Sequence, residues 1–188
     1  MTPTRERVVQ AAAELLEEGG TAAVTLREVG RLAGVSHNAP YKHFADKEEL
    51  LAAVAAASLW QSQARTQRIR RSKPPADAIR QLLQSFVRQG LGHPEMFRLT
   101  YGPWRTGSAE LGEAADAALS SFVAAVADAQ QARALPAGDP DRVAALLLAL
   151  AHGAVDRALA GHLSRAGKGH ADPADLIDDL FAFLTSSQ

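Results

Sequence analysis

The sequence predicts an all-α protein of about nine helices in two domains, and three observations indicate this fold class. Alanine, leucine and arginine, which are strong helix formers, dominate the 188 residues. Apolar residues recur at helical spacing, whereas the alternation typical of strands is hard to find. Glycine and proline separate these segments, at positions where helices begin and end. We therefore expect helices packed against helices.

The N-terminal segment is predicted to begin with two helices and a tight turn. The first runs from Thr4 to Glu18, and the glycines at 19–20 end it. Thr25 and Glu28 have the spacing of a capping box, in which each side chain satisfies a free backbone N–H at the start of a second helix. Gly34 suits the turn that follows, because glycine accepts positive φ at little cost. One apolar face of the first helix carries Val8, Val9, Ala12, Leu15 and Leu16.

A short third helix is predicted over about Ser36–Phe44, where Pro40 is acceptable only in the first turn. Asp46 and Glu49 make a second capping box, which opens a fourth helix with Lys47 at its N-terminus. The predicted second and third helices, joined by a glycine turn, are typical of a helix-turn-helix unit, in which the short third helix is exposed.

The short third helix can enter a DNA major groove, which is about 12 Å wide, by its N-terminal end. That places His37, Asn38, Ala39 and Lys42 near the base edges. Asn38 can pair with adenine, Lys42 can donate to guanine, and Ala39 can touch a thymine methyl group. Side-chain type alone does not select among operators.

The formal net charge of −1 argues against a protein that coats nucleic acid indiscriminately, so any DNA contact must use a local patch. Five acidic residues among the first fifty lie on the predicted first or fourth helix, where they can face away from phosphate: Glu14, Glu17, Glu18, Glu48 and Glu49. A later basic run has two interpretations, a solvated helix end favoured by the helix dipole or a direct DNA contact. It comprises Arg65, Arg68, Arg70, Arg71 and Lys73.

The strings LAGVS (32–36), YKHF (41–44) and DKEELL (46–51) resemble the N-terminal domain of TetR-family transcriptional regulators, over about residues 5–55. The resemblance implies that Thr25, Tyr41, His43 and Lys47 contact phosphate. Tyr41 and His43 also have packing interpretations, and Phe44 is expected in the core. Gly30 departs from the pattern, because a helix former is expected there.

Residues 72–75, SKPP, mark a predicted domain boundary, since consecutive prolines end a helix. We expect a DNA-binding domain over 1–55, with its fourth helix continuing to about 72, and a second domain over 75–188. Within the second, HPEMFRL (93–99) and LLLALAHGAVDRAL (146–159) resemble the C-terminal domain of a TetR subgroup named for a Trp-His-Gly motif. His152 and Gly153 are present, but the preceding tryptophan is missing.

The second domain is expected to bind a small-molecule effector of unknown identity, as the resemblance implies. A cluster of aromatic and apolar side chains supplies candidate lining residues, with polar tips at three of them, although core packing explains each one singly. The candidates are Phe86, Met96, Phe97, Thr100, Tyr101, Trp104, Phe122, Val126 and His152.

The last two predicted helices are apolar on more than one face, which indicates a two-helix dimer surface forming a four-helix bundle with its twofold copy. The candidate interface residues are Leu147, Val155, Leu159, Leu176, Ile177, Leu180, Phe183 and Leu184. A twofold dimer can place its recognition helices about 34–36 Å apart on a near-palindromic operator. In the family, a small molecule bound to the C-terminal domain releases the dimer from DNA.

Other function classes have weaker support. His152 and Asp156 lie one helical turn apart, a spacing that suits a metal or acid-base pair, but no third ligand or nucleophile is visible. Catalytic motifs and cysteine are absent from the sequence, so we expect no enzyme, cofactor or metal. A helical interaction module without DNA binding is a further alternative.

No membrane partner is expected, because the longest apolar run, Val143–Ala151, is far short of the roughly 20 residues of a membrane helix. The sequence thus predicts a cytoplasmic, homodimeric, ligand-responsive regulator. Repression is the family default, with double-stranded operator DNA as the partner.

Overall fold

The structure is a computed structural model that describes residues 3–104 and 107–186. Within these ranges it contains eight α-helices and no strand, so the all-α prediction is confirmed. A short 3-10 helix at Pro40–Lys42 stands where the third of the nine expected helices was predicted. The α-helices are α1 (Pro3–Ala23), α2 (Leu26–Leu32), α3 (Lys47–Ser72), α4 (Pro75–Gly92), α5 (Pro94–Tyr101), α6 (Ala109–Gln131), α7 (Pro140–Leu159) and α8 (Pro173–Ser186).

The chain forms two compact units. The N-terminal unit comprises the positions up to Gln61 together with His93–Asp116. In this unit α1 packs against α2 and α5, around a core of fully buried apolar side chains. Residues 19–20 interrupt α1 as predicted, because Gly20 has a φ of +65° that an α-helix cannot contain. The largest core side chains of this unit are Val8, Leu16, Val24, Val29, Phe44, Leu50 and Val54.

The C-terminal unit comprises Ser62–Gly92 and the chain from Ala117 onward. Here α4 packs against both α7 and α8, and α7 also contacts α8. The amphipathic α4 turns Ile79, Leu83 and Val87 into the core, where they are fully buried. Among the helices of the described ranges, none combines the length and the apolar character needed to cross a membrane.

The two units do not divide at the predicted boundary. Helix α3 does end at Ser72 and α4 begins at Pro75, as the prolines indicate. The division nevertheless falls within α3, between Gln61 and Ser62, and the segment 93–116 belongs to the N-terminal unit. The reason is packing, since Met96 and Leu99 of α5 contact the core built by α1 and α2.

Candidate nucleic-acid interface

Helix α2 begins at the predicted cap. The Thr25 side-chain oxygen accepts the backbone N–H of Glu28 at 3.2 Å. The reciprocal half of the predicted capping box does not form, because the Glu28 carboxylate accepts instead from Nε of Arg31 at 2.9 Å. This hydrogen bond lowers the pKa of Glu28 and raises the pKa of Arg31. Thr25 therefore fixes the start of α2, and Arg31 is partly neutralised by its neighbour.

The turn after α2 uses Gly34 as predicted, with a φ of +62°. The Arg7 guanidinium of α1 donates to the backbone carbonyl of Ala33 and, at 3.2 Å, to that of Gly34. A cation on carbonyls near the end of a helix also matches the helix dipole. Arg7 thus holds the turn that directs the chain into the following segment.

Residues 36–44, which we call the recognition segment, do not form the predicted α-helix. Their first turns are closed by i→i+3 hydrogen bonds: Ala39 N–H donates to Ser36 O at 2.9 Å, and Lys42 N–H donates to Ala39 O at 3.2 Å. At the end of the segment, Phe44 N–H donates to Pro40 O at 3.0 Å, with the i→i+4 spacing of an α-helix. An α-helix would require the Ser36 carbonyl to accept from residue 40, which is proline and has no N–H. The missing donor explains the tighter first turn of the segment.

Pro40 is buried and lies directly against Gly30 of α2. A Cβ atom at position 30 would lie 3.1 Å from Cγ of Pro40 and 3.5 Å from its Cδ. Gly30, which departs from the family pattern, therefore provides the space in which the proline ring packs. The recognition segment is thereby fixed to α2 by its own central residue.

The side chains predicted to read bases are mostly exposed. His37, Asn38 and Lys42 are exposed, and Ala39 is half-buried. The imidazole of His37 meets the ring of Tyr41 edge-on, with the ring centroids 5.9 Å apart. The segment thus presents polar groups to solvent while Pro40 faces inward.

The predicted phosphate-contacting residues occupy different environments. Tyr41 is 51% exposed and Thr25 is also exposed, whereas His43 and Lys47 are half-buried. Lys47 is the first residue of α3, where backbone N–H groups suit an anion. Phe44, which directly follows His43, is only 1% exposed and confirms its predicted core position.

The cap of α3 is confirmed. Asp46 Oδ1 accepts the backbone N–H of Glu49 at 2.9 Å, and the Glu49 carboxylate accepts from Ala45 N–H at 2.6 Å. The carboxylate reaches one residue further back than in the usual capping box. Sequence analysis missed one basic candidate beside this region, Arg27, which is exposed in the first turn of α2. The sequence could have indicated this candidate, because Arg27 follows the Thr25 cap by two residues.

The basic run at the end of α3 contains an ion pair within the C-terminal unit. Arg70 donates to Oδ2 of Asp128 on α6 through Nε at 2.9 Å and Nη2 at 2.8 Å. Arg70, Arg71 and Gln67 line a shallow cleft together with this carboxylate. Arg70 is therefore a packing contact between α3 and α6, which neither sequence interpretation included.

The candidate effector-binding residues fall into two groups, one in each unit. In the N-terminal unit, the rings of Phe97 and Tyr101 lie 5.3 Å apart. Met96 is half-buried beside the core of this unit. The hydroxyl of Thr100 and the indole N–H of Trp104 are buried without a hydrogen-bond partner. This group thus contains two donors available to a polar acceptor.

In the C-terminal unit, the rings of Phe86 and His152 lie 4.5 Å apart. The Nδ1 atom of His152 lies 2.8 Å from the Leu148 carbonyl oxygen, which constrains the imidazole on α7. Phe122 and Val126 of α6 are buried. The C-terminal unit thus holds an aromatic pair on α4 and α7 and two buried apolar side chains on α6.

The predicted dimer surface needs correction. Leu147, Val155 and Ile177 are buried in the chain's own core, so they are not available to a second copy. Four of the other candidates are half-buried, and Phe183 is 72% exposed. On α7 the exposed large apolar residues are Leu146 and Leu150, at 72% and 36%, which the sequence analysis did not select. The half-buried four are Leu159, Leu176, Leu180 and Leu184.

Comparison with known proteins gives two family matches that together span most of the chain. Residues 8–54 match the family described as bacterial regulatory proteins, tetR family. Residues 79–184 match a domain described as tetracyclin repressor-like, C-terminal domain. The first match contains α2, the recognition segment and the α3 cap.

Solved structures share the fold. A protein of unknown function from Rhodococcus sp. RHA1 is 27% identical, with a TM-score of 0.82 over 100% of this chain and 96% of its own. The regulator FadR from Bacillus subtilis, solved with stearoyl-CoA, is 16% identical, with a TM-score of 0.72 over 97% and 98%. AibR, solved with isovaleryl coenzyme A and operator DNA, is 14% identical, with a TM-score of 0.66 over 96% and 97%. With both family matches and this fold in place, the chain belongs to the TetR family of bacterial transcriptional regulators.

Proposed function

We propose that this DNA-binding regulator is a homodimeric repressor that leaves a near-palindromic operator when a small molecule binds. The proposal rests on the recognition segment, in which His37, Asn38 and Lys42 are exposed. Pro40 and Phe44 of the same segment are buried and hold it against the core. A short exposed segment of this kind suits end-on entry into a major groove.

Within the proposal, two sets of side chains have different tasks. Asn38 and Lys42 read base edges, with Ala39 and His37 beside them. Thr25, Tyr41, His43 and Lys47 contact phosphate and therefore set affinity more than sequence preference. Arg27 joins this second set, because an exposed guanidinium in the first turn of α2 suits a neighbouring phosphate. The partner is double-stranded DNA.

We propose that two copies pair through α7 and α8. Leu146 and Leu150 lie one turn apart on α7, and both are exposed, as is Phe183 on α8. Exposed large apolar side chains that recur at helical spacing favour burial against a partner helix. A twofold pair would present two recognition segments to successive turns of one DNA duplex.

For the effector, we propose a molecule with an apolar body and a polar acceptor. In the N-terminal unit, the Phe97–Tyr101 aromatic pair suits the former, and the unpartnered Thr100 and Trp104 donors suit the latter. The Phe86–His152 pair of the C-terminal unit is a separate candidate for an apolar body. Acyl-CoA thioesters are the first class to test, since FadR and AibR were each solved with one. A melting shift with stearoyl-CoA or isovaleryl-CoA but not with free coenzyme A supports this class, and the absence of a shift with both thioesters excludes these two as effectors.

The function itself is tested by selecting duplexes from a randomised library with the purified protein. Enrichment of a near-palindromic sequence, bound by a dimer in sedimentation, is the expected result. A folded dimer that enriches no sequence would overturn the proposal and favour a helical interaction module without DNA binding. An effector that raises operator affinity would contradict the induced-release mechanism.

A further inference from the structure

Phe44 is the residue that ends the recognition segment. Its backbone N–H donates to the Pro40 carbonyl at 3.0 Å, which closes the last turn of the segment. Its ring is fully buried, and the His43 imidazole meets that ring edge-on, with centroids 6.5 Å apart. A shift of the Phe44 ring would therefore displace both His43 and the turn that carries Lys42.

Arg5 of α1 covers this ring. Its guanidinium carbon lies 5.1 Å from the centroid of the Phe44 ring, within the range of a cation–π contact. The same guanidinium donates through Nη2 to Oε2 of Glu110 at 2.6 Å. The Arg5 side chain is 19% exposed and that of Glu110 is 40% exposed, so solvent screens this pair only in part. All three residues belong to the N-terminal unit.

The two contacts act on one rigid group. The guanidinium is planar, so a carboxylate bound at one edge fixes the orientation of the face that lies over the ring. Loss of the Glu110 contact removes one restraint on the guanidinium, which gives the Arg5 side chain more rotamer freedom and weakens its contact with Phe44. A carboxylate 105 positions away in the sequence thereby restrains the residue that ends the recognition segment.

We propose that Arg5 and Glu110 are positioning residues for sequence reading, acting through Phe44 rather than by touching DNA. The inference rests on the proposed DNA-binding function and adds a control point to it. Because Glu110 stands in the first turn of α6, a change at the start of this helix that moves Glu110 away from Arg5 would alter operator recognition without altering a DNA-contacting side chain.

The test compares Glu110→Gln with Glu113→Gln, an equal charge change at an exposed residue of the same helix. The probes are a duplex selected from a randomised library by the unaltered protein and a scrambled duplex of the same length. We expect Glu110→Gln to lower the ratio of specific to non-specific affinity about threefold to tenfold. Glu113→Gln should leave this ratio unchanged. The salt dependence should stay the same in both, because neither residue contacts phosphate.

The opposite outcomes are distinct. If Glu110→Gln and Glu113→Gln behave alike, the inference is overturned while the proposed function stands. If the unaltered protein selects no duplex, both fail. A purely structural role would lower the melting temperature and leave the affinity ratio unchanged, which also overturns the inference.

Arg5→Lys is a second variant, which keeps the positive charge but lacks the flat guanidinium. We expect a partial loss of the affinity ratio, because lysine can still pair with Glu110 but covers the ring less well. A parallel loss of both affinities with a flatter salt dependence would instead show that Arg5 contacts phosphate, contrary to the inference.

Discussion

Replacing Gly30 by alanine tests whether the packing of Pro40 requires a glycine at position 30 of α2. In an unobstructed helix interior this change stabilises by about 1 kcal/mol. Here the new methyl group would lie 3.1 Å from Cγ of Pro40, closer than ordinary contact distance, so the ring must move by a few tenths of an ångström. Over-packing of this kind costs about 1–3 kcal/mol. The helical gain should therefore be cancelled or exceeded, with a net destabilisation of up to about 2 kcal/mol.

The assay is urea unfolding of four proteins: the unaltered chain, Gly30→Ala, Pro40→Ala and the double variant. In the Pro40→Ala background, where Cγ and Cδ are gone, Gly30→Ala should recover its stabilisation of about 1 kcal/mol. The cycle should then show a coupling of at least about 1 kcal/mol between the two positions. If Gly30→Ala stabilises both backgrounds by the same amount, the steric reasoning is refuted.

Three further predictions concern the proposed contacts. Lys47→Ala should weaken binding to all duplexes alike and flatten the salt dependence by about one unit, and an unchanged slope in salt titrations would argue against a phosphate contact. Alanine at Asn38 or Lys42 should alter base preference at one operator position by about 1–3 kcal/mol in competition binding, whereas a uniform loss would contradict base reading. Phe183→Glu should yield monomers in sedimentation while Leu119→Glu, at an exposed leucine of α6, should not, and dimers of both would remove α8 from the interface.

Features that depend on nearby residues could be predicted from the sequence. The Thr25 and Asp46 caps and the positive φ at Gly34 each follow from one side chain and its immediate backbone. The tighter first turn of the recognition segment could also have been predicted. Pro40 lacks an N–H, and the Ser36 carbonyl therefore needs Ala39 as its donor.

Features that depend on distant residues were beyond the sequence. The nearby residues give no indication that α5 packs against α1. The prolines at 74–75 suggested a domain boundary because they end a helix, but the two compact units divide elsewhere. The run of three leucines at 146–148 leaves the orientation of α7 open, because adjacent residues differ by about 100° around a helix. Only the fold shows that Leu147 is the buried one.

The contact between Gly30 and Pro40 bears on any effort to retarget this regulator. If positions 36–44 are replaced by the nine residues of a relative that lacks proline at position 40, a different side chain will lie against Gly30 of α2. A larger residue placed at position 30 alone would collide with the native proline, and a residue smaller than proline placed at position 40 alone would leave a void above the glycine. The segment that must be exchanged is therefore longer than the recognition segment, and it begins within α2.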